Sequence, residues 1–298
     1  MTGDGMRAEH RPRWRQVLSA VVANRLALAA LVLLGVLVIL ALAGPALATH
    51  GANEVRVVER LEEPSLHHPF GTDELGRDIF SRVLLAVRVS LHVGVVAVGI
   101  ALVAGVTIGL VAGFYGRLVD TLLMRLMDMV FAFPAILLAI AILAVLGPGI
   151  TNAMVAIGVV YTPIFARVTR AGVLTVREAT YVRAARSLGA SDARLILRHV
   201  LPNVSGPIIV QTSLSLAFAI LSEAALSYLG LGVQPPEPSW GRMLFDGRSF
   251  LQQAWWMGLF PGLAILVTVM AFNFLGDGLR DALDPQQQAA IEARGRSV

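Results

Sequence analysis

Asp128 and Glu223 are carboxylates set in long apolar stretches, where an ionisable side chain needs either a partner or a task. Glu223 stands in Leu221-Ser222-Glu223-Ala224-Ala225. It can line a translocation path and meet a peptide amino group, or take a hydrogen bond from Ser227 or nearby backbone. Asp128 follows Arg125 by three positions, a spacing that pairs side chains on one helix face; a path role is the alternative. His67 and His68 are metal-ligand types, but adjacent side chains diverge and no carboxylate-rich closed site is evident, so no metal is expected. Gly189-Ala190-Ser191-Asp192-Ala193 comes near the G-x-S-x-G pattern of serine hydrolases. It lies in a basic loop, where it reads better as a turn and a helix cap.

Absent residues narrow the chemistry further. The chain has no cysteine, which removes thiolate nucleophiles, thiolate metal sites and disulfides. All 24 of its basic Lys/Arg positions are arginine, so the phosphate loop G-x-x-x-x-G-K-[ST], whose lysine reaches the phosphates, cannot be present. There is no H-E-x-x-H either. An enzyme is not expected, and any ATP-driven work needs another chain.

The 298 residues are 56% apolar and 15% charged, with a mean hydropathy of +0.72, which excludes an ordinary water-soluble domain. The net charge of +4 does not mark a nucleic-acid partner, because the arginines are interleaved with long apolar runs. Six runs approach the roughly 20 residues needed to cross a bilayer: about 26–48, 89–113, 119–146, 150–167, 204–230 and 257–276. The first ends in Ala46-Leu47-Ala48, as a cleaved signal would, but it is longer than a secretory h-region and is expected to be a retained anchor. With the N-terminus inside, 17 arginines fall on the cytoplasmic side and 7 outside, so both termini are expected in the cytoplasm. Trp255 and Trp256 fit an interfacial anchor or ordinary packing equally well.

The expected organisation is a cytoplasmic tail 1–25, a first span 26–48, an extracytoplasmic segment 49–88, a five-helix core 89–280 and a cytoplasmic tail 281–298. In 49–88, Asp78 and Arg82 are read as i,i+4 partners on the polar side of a helix lying on the membrane surface. Ala97, Ala101, Gly105, Gly109 and Gly113 form a period-four file of small residues, which permits close helix approach to a neighbour in this chain or another. Pro134, Pro163 and Pro261 lie inside spans and can bend them.

The cytoplasmic loop 168–203 is rich in arginine. Residues 181–188 are helix-forming, Gly189 interrupts them, and Ser191 can cap a second helix that ends before Pro202. Ala184, Ala185 and Leu188 give the first helix a small, apolar side suited to a groove on another protein. The alternative is a basic loop touching anionic lipid heads.

Arg183-Ala184-Ala185-x-x-x-Gly189, followed nine residues later by His199-Val200-Leu201-Pro202, resembles the E-A-A-x-x-x-G…I-x-L-P loop of ABC importer permeases. Arg183 stands at the glutamate position and His199 at the isoleucine, leaving Glu178 as the nearest acidic group. His68-Pro69-Phe70-Gly71-Thr72-Asp73-Glu74-Leu75-Gly76-Arg77-Asp78 is similar to the extracytoplasmic signature of dipeptide/oligopeptide/nickel importer permeases. So are the stretches 222–236, 238–241 and 275–285, and together they match the C-type subunit along nearly the whole chain.

The resemblance implies an all-α, polytopic, six-span protein of the type I ABC importer permease fold, in a prokaryotic cytoplasmic membrane. It also implies a B-type permease partner, two cytoplasmic ATPase subunits holding ATP and Mg²⁺, and an extracytoplasmic substrate-binding protein. Arg183, Ala184, Ala185, Leu188, Gly189 and Pro202 then belong to the ATPase-coupling loop, with dipeptides or oligopeptides as the expected cargo. An ion-coupled transporter would call for acidic or histidine relays and repeats, and an intramembrane hydrolase for a nucleophile motif; neither set is present.

Overall fold

The computed structural model describes residues 21–283. The arginines of the N-terminal tail up to Arg15, and the C-terminal tail from 284 on, lie outside the described residues, as do the expectations attached to them. Among the described residues the long elements are all helices, and Thr72 and Asp78 form one isolated antiparallel bridge.

Helix α1 (Arg25–Leu47) starts at Asn24, whose side chain accepts from the backbone N–H groups of Leu26 and Ala27. It packs on α2 (Ile79–Tyr115) and α9 (Trp256–Leu283), and most of its apolar surface faces outward. Helix α2 has 37 residues, so at 1.5 Å per residue it is about 55 Å long, well beyond a roughly 30 Å hydrocarbon layer. The separate surface helix expected near 78–84 does not exist: those residues are the first turns of α2. No glycine or proline separates Arg82 from Val89, so nothing in the chain stops the helix there.

The expected straight span 119–146 is also corrected. It is two helices, α3 (Arg117–Phe131) and α4 (Ala135–Leu146), bent by 90°. Pro134 lacks an N–H and disfavours α-helical backbone at Phe133, so the helix stops there. At about 18 Å, α4 cannot cross the layer alone. Helix α5 (Ile150–Val176) runs nine residues past the hydropathy boundary and carries Pro163 inside it.

Helix α6 (Thr180–Ser187) is followed by a turn and by α7 (Asp192–Tyr228). The second loop helix does not end before Pro202. It continues through a π-helical turn, Leu195–Val200, into the span. The wider turn shifts the carbonyl register ahead of Pro202, where an unbroken α-helix would meet the ring. Helix α8 (Trp240–Gly247) is a short element between α7 and α9, capped by Ser239, whose hydroxyl accepts from the Arg242 N–H. Among the described residues five helices are long and apolar enough to span, six when α3 and α4 count as one broken span, in agreement with the polytopic all-α expectation.

Among the described residues two large apolar cores result, beside a small cluster of Val21, Ala27 and Ala282. One joins α2, α5 and α7 around Phe165, Ile157, Leu195 and Leu226; the other joins α2, α7, α8 and α9 around Trp240 and Trp256. Trp256 is buried and its Nε1 donates to the Thr72 carbonyl at 3.0 Å, which is packing; Trp255 remains exposed.

Candidate functional site

The small-residue file on α2 has its neighbour in this chain: Ala97, Ala101, Gly105, Gly109 and Gly113 are all buried, and the three glycines face α5. A Cβ on Gly105 would lie 2.6 Å from the Thr162 carbonyl oxygen, one on Gly109 2.7 Å from Thr169 Cβ, and one on Gly113 2.8 Å from Val173 Cβ. Gly158 of α5 answers from the other side: a Cβ there would lie 3.1 Å from the Ala97 oxygen. The two helices therefore pack at backbone distance between Ala97 and Gly113 of α2 and between Gly158 and Val173 of α5.

Toward its C-terminal end α5 carries Arg167 and Arg170, with Arg177 at its C-cap. Arg170 grips Asp120 of α3 through two nitrogens, Nη2 at 2.6 Å. Arg167 pairs with Asp128 at 2.8 Å and lies over the Phe131 ring at 4.1 Å. The Arg125–Asp128 pair expected from spacing is thus corrected: the partner of Asp128 is on another helix. Residues 120, 167 and 170 were missed as a set. Acids eight apart on α3 and arginines three apart on α5, each on about one face, were the available signal.

Arg177 closes the block, its Nη1 donating to the Gly113 carbonyl at 2.6 Å, and Arg186 lies over the Phe114 ring at 5.1 Å. Helix α6 is thereby fixed to the end of α2. Its inner side is buried Val182 and half-buried Ala185, backed by Leu195 and Val200 of α7. Its outer side presents Arg183 and Ala184, and Leu188 follows at 89% exposure. Gly189 adopts φ +82° with open space where a Cβ would project, so glycine serves the backbone conformation and not clearance. Ser191 stands at the N-cap position without a side-chain cap bond, and Pro202 is exposed. Glu178 is exposed beside Arg177, 3.2 Å from its Nε.

Glu223 is fully enclosed by the monomer. Ser227 Oγ donates to its Oε1 at 2.7 Å and accepts from the Val233 N–H at 3.0 Å, while Oε2 has no hydrogen-bond partner. Helix α8 presses on this region: a Cβ on Gly241 would lie 2.6 Å from the Ala224 oxygen, and Trp240 Nε1 donates to the Val83 carbonyl at 3.1 Å.

The segment 49–78 folds onto the head of α2. Asp78 caps α2 by accepting from the Ser81 N–H at 2.8 Å and meets His68 Nδ1 at 2.9 Å. Arg82 is buried, donates to the Ala52 carbonyl at 2.9 Å and faces Asp73 at 3.7 Å. Asp78 and Arg82 are therefore not partners on a solvated face, because loop residues reach both of them first. His67 is exposed while His68 is buried, and His50, which is remote in sequence, joins His68 and Asp78.

Residues 105–288 match the family described as binding-protein-dependent transport system inner membrane component, and residues 13–64 match the N-terminal TM domain of oligopeptide transport permease C. The chain is 47% identical over 276 residues to the dipeptide transport system permease protein DppC of Alkalihalophilus pseudofirmus, covering 93% of this chain and 91% of that one. It is 43% identical over 277 residues to the glutathione transport system permease protein GsiD of Pectobacterium atrosepticum, covering 93% and 92%. An inward-facing structure of the MetNI methionine ABC transporter superposes with a TM-score of 0.56 at 18% identity, over 68% of this chain and 96% of that one.

Proposed function

The chain belongs to the family of binding-protein-dependent transport system inner membrane components, and from that premise we propose that it is the C-type permease of a peptide importer, working beside a B-type permease. Two cytoplasmic ATPase subunits bind and hydrolyse ATP with Mg²⁺, and an extracytoplasmic binding protein delivers the cargo. Dipeptides or short oligopeptides are the favoured cargo, supported by relatives named for dipeptide and glutathione transport. Both termini are cytoplasmic, as the excess of arginine on that side supports.

The observation that carries the reading is the construction of α6. Its outer side offers Arg183, Ala184 and Leu188, and its inner side is fixed by Val182, Leu195 and the Arg177–Gly113 bond to the body of the protein. A short helix exposed on one side and anchored on the other can seat in an ATPase groove and transmit its displacement. Force on α6 reaches α2 through Arg177, and α2 moves with α5 because the glycine seam holds them in contact. ATP binding and release would thereby alternate the access of the path. Leu188 supplies apolar contact, Gly189 permits the turn that presents it, and Pro202 with the π turn sets how α7 leaves the loop. Arg183 changes the charge of the contact, so the docking partner must offer something other than a basic group at that point.

The test is Leu188→Asp in the complete importer. Co-purified ATPase subunit and binding-protein-dependent peptide uptake are expected to fall at least about tenfold, matching the loss of a buried apolar contact and the burial of a charge. The yield of folded permease should be unchanged. Wild-type ATPase recovery and wild-type uptake would sink the assignment of α6 as the coupling element.

A further inference from the structure

The extracytoplasmic lobe contains a convergence of nitrogen and oxygen donors that transport does not require. His68 is buried with each imidazole nitrogen against a carboxylate, Nδ1 at 2.9 Å from Asp78 Oδ1 and Nε2 at 3.2 Å from Glu59 Oε2. A neutral imidazole has one N–H and one lone pair, so it can satisfy only one of two acceptors by donating. The other nitrogen then meets a carboxylate oxygen lone pair to lone pair, and either a second ring proton or a metal ion between them relieves that contact. On the Asp78 side there is a second imidazole: His50 Nδ1 lies 3.8 Å from Asp78 Oδ2, and the two rings are 4.8 Å apart. A proton on His68 would resolve one contact, whereas a metal ion would serve both imidazoles and the carboxylate together.

From this geometry we infer that His50, His68 and Asp78 bind a borderline divalent cation of the Zn²⁺ class. Their ligand atoms all lie within 4.8 Å of one another. Zn²⁺ with bonds near 2.0–2.1 Å needs donors about 3.3 Å apart, a distance the His68–Asp78 pair already approaches and a small rotation of His50 would complete. Two imidazoles and one carboxylate suit such a metal and disfavour Mg²⁺ or Ca²⁺, which take all-oxygen sets. Glu59 has the position of an outer carboxylate: it accepts from His68 Nε2–H, fixes the tautomer and leaves Nδ1 for the metal. Thr49 Oγ1, 3.1 Å from His50 Nδ1 and 3.4 Å from Asp78 Oδ2, borders the remaining coordination position, which a water fills.

The consequence is a clamp. The three ligands come from the start of the α1–α2 linker, from its second half and from the cap of α2, so one ion ties the segment 49–78 to the head of α2. It was not legible in the chain because the two adjacent histidines, His67 and His68, are the pair that does not act together.

The experiment titrates the untagged full chain in nanodiscs with ZnCl₂ by calorimetry, and follows the visible d–d absorption of Co²⁺ as a signature of imidazole ligation. One saturable ion per chain is expected, together with a Zn²⁺-dependent rise in Tm that MgCl₂ does not reproduce. His50 is the residue to replace, because it is partly exposed and its loss leaves the His68–Asp78 and Asp78–Ser81 bonds intact. His50→Gln should weaken Zn²⁺ at least about tenfold, Glu59→Gln about 10- to 100-fold, and His67→Gln not at all. Absence of saturable Zn²⁺ binding to the wild type would assign the position to a proton and overturn the proposal. Binding unchanged in His50→Gln would overturn it too, by placing the ion elsewhere.

Discussion

The two ends of the molecule use ion pairs differently. In the lobe that 49–78 and α8 form at the head of α2, Asp73, Arg77, Asp78 and Arg82 are buried and interlocked, with Arg77 bound to Asp73 and to Glu74 at 3.0 Å and facing Asp246 at 3.8 Å. Toward the other end of α2, where α3 meets α5, Arg167 and Asp128 are 41% and 54% exposed while making a bond of similar length, 2.8 Å. Burial removes the option of exchanging a partner for water, so the outer network is committed to one arrangement. The Arg167–Asp128 pair can open at little cost. A lobe that must present a constant surface, and a base that must follow an ATPase, would be built in these two ways.

Breaking the outer network should have the largest effect. Arg77→Met removes the main cation beside Asp73 and Glu74 and leaves their carboxylates under-compensated in a buried site. A loss of about 3–5 kcal/mol is expected, as for other buried pairs deprived of one partner. For a membrane protein this would register as a collapse of monodisperse protein in detergent and a large fall in Tm. A near-normal Tm would mean that the outer network is as exchangeable as the inner one, and the contrast would fail.

The glycine seam connects the two ends and should give an intermediate effect. In Gly109→Val the new Cβ would meet Thr169 Cβ at 2.7 Å, and the branch adds atoms where α2 and α5 already touch. Overpacking of this kind costs about 1–3 kcal/mol. The protein should fold with a reduced Tm, and ATP-driven uptake should fall by more than the loss of folded protein explains. Uptake that simply tracks the folded fraction would show that the seam only holds the helices together and does not transmit motion.

How much of this could be read from the chain differs along it. Apolar runs located the spans because their burial in lipid depends on composition alone, and Gly189 marked the turn after α6 because a left-handed backbone favours glycine. Hydropathy, however, marks where the membrane ends and not where a helix ends. That is why α2 absorbed the expected surface helix, and why α5 overran its boundary. The break in α3–α4 was announced by Pro134, a local signal that an apolar window averages away. Partners were the least legible: Asp128 meets Arg167 across 39 positions, and His50 meets Asp78 across 28, distances at which only the fold decides who is adjacent.

The smallest predicted effect sharpens the comparison most. A double-mutant cycle of Asp128→Asn and Arg167→Gln isolates the pair energy from other changes at each site. Both side chains keep contact with water, so the coupling energy should be under about 1 kcal/mol and shrink further with added salt. Arg167 has a second contact, the Phe131 ring at 4.1 Å, so its single variant should cost more than that of Asp128. The basal ATPase rate of the assembled importer should change more than its stability, because a weak pair sets how readily α3 and α5 part without deciding whether they fold. A coupling energy near that of a buried pair would show that this end, too, is locked, and that opening it takes work from the ATPase and not thermal exchange with water.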